Sequence, residues 1–271
     1  MITRLPRLFV AAMMAAGMAA APASAGGDLL VAPLRVVLDG ARGTEVILNN
    51  IGTETATYRV SLELRRMTPT GDLVEVTAPT AEETAALAMI AYAPHRVTLP
   101  PNQPQAIRIG VRAPQGLPDG EYRAHMLFRA IPDAKPVTSP ATPVRGISIA
   151  LTPIYGVTIP IIVRRGHLEA TAAIANARLS TFNGRPAVAL DLDRAGGRSV
   201  YGEVRVLKAG VDKPVGTVRV AVYKEIGRRS LVLPISAGVT VPVAGPATIQ
   251  YVEISEDGGQ RVLAESKVVL R

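Results

Sequence analysis

Apolar residues recur at every second position through most of this chain, in short segments separated by glycine and proline, and that period is the one a β-strand imposes. In "ATYRVSLELRRM", Tyr58, Val60, Leu62 and Leu64 alternate with polar partners, and in "GEYRAHMLFRAIP", Tyr122, Ala124, Met126 and Phe128 do the same. With 24 glycines and 22 prolines as punctuation, the pattern predicts an all-β chain of the sandwich type.

Taken in order, "LLVAPLRVVLDG" reads as a first strand ending at the turn pair Asp39-Gly40, "TEVILNNIG" as the second and "ATYRVSLELRRM" as the third. Thr70-Gly71-Asp72 then turns the chain into "LVEV". One segment departs from the pattern. In "TAEETAALAMIAY", Thr80 with Glu83 three residues on forms a capping box before alanine-rich sequence, which predicts a short helix ending before Pro94. Strand signals resume in "HRVTLPPNQPQAIRIGVRAP" and "GEYRAHMLFRAIP", and "DAKPVTSPATPVR" reads as a mobile loop. Beyond Arg164-Arg165-Gly166 the pattern restarts, from "ATAAIANARLST" to "RVLAESKVVLR", with about seven short strands at the spacing of a second sandwich. The organisation expected is an export signal over 1–25, a first domain over 26–165 and a second over 166–271.

The export signal rests on basic Arg4 and Arg7, an apolar run over 8–21 and the small residues Ala23-Ser24-Ala25. The run is shorter than the roughly 20 residues that span a bilayer. Losing Arg4 and Arg7 lowers the formal charge from +8 to +6. The basic residues are scattered, and with no tryptophan and three phenylalanines the chain offers no stacking platform for nucleic acid. The absence of cysteine removes disulfides, thiol nucleophiles and thiolate metal sites together. Stability must come from packed cores, and an exported chain without disulfides fits a bacterial periplasm at least as well as the exterior.

Catalytic signals are poor. GxSxG, HExxH, Walker and GxGxxG motifs are all missing. His95, His125 and His167 lie in separate segments and read as solvated or packed histidines. Glu82-Glu83 sits at a helix start, where acids favour the helix dipole, and Asp191 with Asp193 reads as a solvated edge contact. The expectation is a protein that is not an enzyme and needs no nucleotide, metal or other cofactor and no small-molecule substrate.

A binding surface remains. In "GISIALTPIYGVTIPIIVRRG", residues 146–166, Ile147, Ile149, Leu151, Tyr155, Val157, Ile159, Ile161 and Val163 share one parity, and Pro153 and Pro160 point to an edge strand. An exposed strand of this kind suits β-augmentation, in which backbone bonds supply affinity and alternate side chains fill a partner's groove. A covered last strand of the first sandwich fits the same periodicity, and the chain would then be an exported binding or adhesion module.

"PLRVVLDG", "PHRVTLPPNQPQAIRI", "LPDGEYRAHMLFRAIP" and "ISIAL" together resemble the periplasmic pilus (fimbrial) assembly chaperones. "PLRVVLDG" is similar to that family's first strand, with Arg35 at its cleft arginine. "PHRVTLPPNQPQAIRI" resembles its mid-domain pattern through Pro94, Leu99-Pro100, Gln105 and Arg108, and "LPDGEYRAHMLFRAIP" its signature through Leu117-Pro118, Asp119, Glu121 and Ile131-Pro132. "ISIAL" is similar to the donor strand. The resemblance spans most of residues 29–166 and implies two immunoglobulin-like β-sandwich domains in an L-shaped arrangement. It further implies a chaperone that holds pilin or fimbrial subunits by donor-strand complementation and delivers them to an outer-membrane usher, with self-capping as a homodimer. On that resemblance Ile147, Ile149 and Leu151 are the lent side chains, extended by Tyr155 and Val157, and Arg35 anchors the subunit's terminal carboxylate.

The chain departs from the family where a lysine on the donor strand completes that anchor. No lysine occurs between Lys135 and Lys208, and alternative registers put Gly156 or Pro160 in its place. Arg35 then acts alone or with Arg164 or Arg165, since a guanidinium grips a carboxylate through two bonds. Gly120 also replaces the arginine usual in the second signature. Taken without the family, Arg35 reads as a surface arginine beside Asp39. In the second domain, "SVYGEVRV" and "GRRSLVLPI" fit strands on the inter-domain side.

Overall fold

The computed structural model describes residues 29–40, 42–132 and 154–271. The proposed export signal, the loop over 133–145 and the positions of Ile147, Ile149, Leu151 and Pro153 lie outside the described residues. The first sandwich is built from β1 (Leu29–Ala32), β2 (Val36–Leu38), β3 (Thr44–Asn50), β4 (Ala56–Glu63), β7 (Ile90–Ala93), β8 (Arg96–Leu99), β9 (Pro104–Val111), β10 (Gly120–Ile131) and β11 (Gly156–Arg165). One sheet runs β1-β3-β9-β7 and the other β2-β11-β10-β4-β8. Between β4 and β7 in the chain come a hairpin, β5 (Arg65–Met67) with β6 (Leu73–Glu75), and the helix α1 (Ala81–Met89).

The helix starts where the capping box puts it. The Thr80 side chain accepts from the Glu83 amide and the Glu83 carboxylate accepts from the Thr80 amide, and Arg66 grips that same carboxylate at 2.6 Å with two nitrogens. Those bonds hold the Glu83 carboxyl down at about 2, against the opposing effect of burial. The far end of the helix buries Ala86 and Met89 against the sheets. Alternation does the rest: Val46 and Leu48, Tyr58 and Val60, Ile107 and Ile109, Met126 and Phe128, and Ile159, Ile161 and Val163 turn inward from five different strands into one core.

A second core draws on β12 (Ala170–Phe182), β13 (Arg185–Gly196), β14 (Val200–Leu207), β15 (Gly216–Val222), β16 (Arg228–Pro234), β17 (Gly245–Ile254) and β18 (Gln260–Leu270). Its sheets run β12-β13-β16 and β15-β14-β17-β18, with Leu190, Val204, Ile249 and Tyr251 between them. The molecule is therefore all-β with two sandwiches, as the alternation predicted. Between the cores, Gly166 has φ +72°, and a Cβ there would come within 2.1 Å of the Asp119 carboxylate, so a side chain at that point would be strained and would push Asp119 aside.

Two expectations need correction. "LLVAPLRVVLDG" is two strands, not one. Pro33 follows β1, and the chain crosses to the opposite sheet, where β2 lies parallel to β11. A residue without an amide proton is a natural place for such a switch. The long apolar strand is likewise not an edge throughout. β11 pairs with β10 along its whole length, and β2 covers its other side at 161–163, so 156–160 and the last two residues lack a second strand neighbour among the described residues.

Ile161 is wholly buried where β2, β11 and the core meet. Replacing it with alanine should lower unfolding stability by about 2–5 kcal/mol, read as a fall in the urea midpoint with an unchanged denaturant slope.

Candidate functional site

At the Glu121 and Arg164 end, the outward face of β10 and β11 is covered by the second sandwich. With Val36 and Leu38 turned into the core, Arg35 and Val37 belong to the opposite face, together with Pro160, Ile162 and Arg164 of β11 and Glu121, Arg123 and His125 of β10. Glu121 is only 3 % exposed. It accepts from Arg164 Nε at 3.0 Å, and each of its oxygens lies 3.1 Å from the Ser199 amide at the start of β14. Arg164 also donates to the Ser199 carbonyl at 3.2 Å.

A second bridge lies beside it. Arg123 stacks 3.8 Å from the centre of the Tyr223 ring and donates to both oxygens of Glu225, at 2.9 and 2.6 Å. Glu225 also accepts from the Met67 amide at 2.7 Å. Burial works against the Glu225 charge, but the Arg123 and Met67 bonds outweigh it and hold the carboxyl below the usual range. The hairpin β5–β6 extends the contact, with the Ser230 amide donating to the Pro69 carbonyl at 2.8 Å. At Gly71, φ +93°, a Cβ would collide with the Arg229 guanidinium. Ser199, Tyr201, Arg229 and Ser230 thus do face the first sandwich, as "SVYGEVRV" and "GRRSLVLPI" suggested.

Arg35 immediately precedes β2, and the β2–β11 register puts it level with Pro160, one of the two positions matched to the family's lysine. Its guanidinium lies 5.0 Å over the Tyr201 ring and donates at 2.5 Å to Glu256, in the turn between β17 and β18. Arg164 Nη1 approaches the same Glu256 oxygen at 3.9 Å. The two candidate anchor residues are therefore brought together, and Arg35 is no isolated surface arginine. Of the candidate donor-strand residues, Tyr155 is exposed, whereas Val157 packs against the protein's own first core and is not a free knob in this conformation.

Other candidate groups are engaged locally. Asp191 bonds Ser230 and Asn176, and Asp193 bonds Arg228. Lys224 bonds the Glu82 carboxylate across the two sandwiches. Among the described residues no three histidine, aspartate or glutamate side chains gather in a metal-binding group. Sequence reasoning missed the inter-domain role of Glu121, Arg123 and His125, because period two does not tell a solvated face from a covered one, and that of Glu225 and Glu256, because they lie in turns.

No family model and no curated protein matches the chain. Among solved structures it is similar to the E. coli chaperone DraB, at 15% identity and TM-score 0.46, over 90% of this chain and 96% of that one. It is also similar to the Pseudomonas aeruginosa CupB2 chaperone, at 15% and 0.45, over 89% and 100%. A third is the Salmonella enterica SafA pilin in complex with the SafB chaperone, at 17% and 0.45, over 90% and 97%. These likenesses concern the course of the chain; a role for the site has to be argued from its residues.

His125 is buried in this interface, edge-on to Tyr223, with neither ring nitrogen hydrogen-bonded among the described residues. Burial above all, with the Arg123 and Arg65 cations adding to it, pushes its pKa from 6.5 down to about 3. Between those values the unfolded chain binds the extra proton, so stability is complete above about pH 6.5 and falls on acidification, by about 2 kcal/mol at pH 5. Urea midpoints at pH 7 and 5 should show that fall, and His125→Phe should flatten it.

Proposed function

We propose that this chain is a periplasmic chaperone that holds a pilin or fimbrial subunit by donating a strand and delivers it to an outer-membrane usher. The observation that carries the reading is the half-open edge of β11. Over 156–160 its outer side has no second strand among the described residues, and the apolar parity continues upstream through Tyr155, Leu151, Ile149 and Ile147. A strand with free backbone groups and apolar side chains at alternate positions is suited to completing another sandwich.

The division of labour follows from this reading. The signal over 1–25 directs export, the domain over 26–165 carries the donor strand, and the domain over 166–271 forms the other wall of the cleft. Arg35, supported by Arg164, receives the terminal carboxylate of the subunit and sets the register of the lent strand, because a charge-assisted contact fixes position as well as contributing affinity. Ile147, Ile149 and Leu151 fill the subunit's groove. Between clients, pairing of two such edges in a homodimer protects them from aggregation. Binding and release by strand exchange require no nucleotide, metal or cofactor.

The test is a pull-down with tagged mature protein from host periplasm beside Ile149→Asp and Arg35→Ala, with folding checked by circular dichroism. The native protein should recover a small β-rich subunit lacking its final strand. Both variants should fold, Ile149→Asp should recover none and Arg35→Ala markedly less. Unfolding of Ile149→Asp, with no subunit recovered by the native protein, would instead identify a buried core residue, since an unpaired charge there destabilises the domain, and would favour the binding-module reading.

A further inference from the structure

Glu256 differs from the other carboxylates that meet arginines across the cleft. Its side chain is 47% exposed, against 1% for Glu121 and 25% for Glu225. The turn that carries it is held without it: the Ser255 amide donates to the Gly259 carbonyl at 2.9 Å, the Gly258 amide to the Ser255 carbonyl at 3.0 Å, and the Gly259 amide to Asp257 at 3.2 Å. The glutamate side chain can therefore leave its partners with no loss of backbone structure around it.

Its two partners are also held without it. Tyr201 supports the Arg35 guanidinium from below, and Arg164 is fixed by Glu121 and the Ser199 carbonyl. Arg35 Nε is buried with no acceptor among the described residues, so Glu256 does not use up the guanidinium's donors. Glu121 and Glu256 together balance the two guanidiniums. A further carboxylate bound beside Glu256 would leave three negative groups against two positive ones in a partly desolvated cleft, which makes occupancy by Glu256 and by an external carboxylate mutually exclusive.

We propose that Arg35 and Arg164 form a preorganised receptor for one carboxylate, that Glu256 is its resident intramolecular occupant, and that the free C-terminus of a bound polypeptide must displace it. This deepens the reading of Arg35 as the subunit anchor and rests on it. In the unliganded molecule Glu256 keeps two neighbouring cations from attracting unrelated anions. A competing carboxylate gains admission only when strand contacts elsewhere add to its affinity, so Glu256 sets the selectivity of the cleft for chain ends that also present a strand.

The experiment uses the mature full-length protein, its Glu256→Gln and Arg35→Ala variants, and a fluorescein-labelled heptapeptide of alternating valine and threonine, either with a free C-terminal carboxylate or amidated. Fluorescence anisotropy should show Glu256→Gln binding the carboxylate peptide about two- to fivefold more tightly than the native protein. Its affinity for the amidated peptide should be unchanged, and Arg35→Ala should abolish the preference for the carboxylate. Equal affinities of native protein and Glu256→Gln, with both preferring carboxylate over amide, would overturn the occupancy while leaving the anchor in place. No binding, or no preference for the carboxylate in either protein, would overturn the anchor and the proposal with it.

Discussion

A carboxylate removed from water must find compensation for its charge, and in this molecule Glu121 draws it from both domains. The residue lies at the start of β10, opposite Arg164 of β11 in the strand register, so the ion pair is set by the first sandwich alone. The Ser199 amide, which reaches both oxygens, comes from the second. A buried charge with one partner removed is strongly unfavourable. Glu121 is thereby one of the groups that tie the two sandwiches together, beside the Arg123–Glu225 and Arg35–Glu256 pairs and the Ser230–Pro69 backbone bond.

The interface is correspondingly polar. Arginines at 35, 123 and 164 meet acidic or carbonyl groups of the second sandwich, and two of them lie against tyrosine rings. A guanidinium suits such a place, being planar, weakly hydrated and able to donate in several directions while it stacks. Histidine is the exception: at position 125 it is enclosed by cations and aromatic surface and is kept neutral.

Much of this architecture was legible in the chain. The segments read as strands in the second half correspond to β12 through β18, because alternation with turn residues between is enough to specify them. The helix was legible through Thr80 and Glu83, whose reciprocal bonds are local in sequence. The division of the first strand at Pro33 was not, since Val31, Val36 and Leu38 all turn into the same core while their strands belong to different sheets. The functional face was harder still. Period-two patterning separates inside from outside within one sandwich, but it carries no information on whether the outside meets water or another domain. The inter-domain places of Glu121 and His125 therefore could not be read from it, and Glu256, in a turn of serine, aspartate and glycine, had no signal at all.

The hairpin β5–β6 has a consequence for how such a chain can change over generations. It leaves the first sandwich and joins the second through a backbone hydrogen bond from Ser230 to Pro69, while the Arg229 guanidinium occupies the space beside Gly71. Main-chain bonding across domains ties loop geometry to strand geometry, and the missing side chain at Gly71 matches one particular arginine. The halves are therefore poor candidates for shuffling. A recombinant that joined this first sandwich to a distant second one would need Arg229, Ser230, Glu225 and Ser199 delivered together, so the pair is expected to have diverged as one inherited unit.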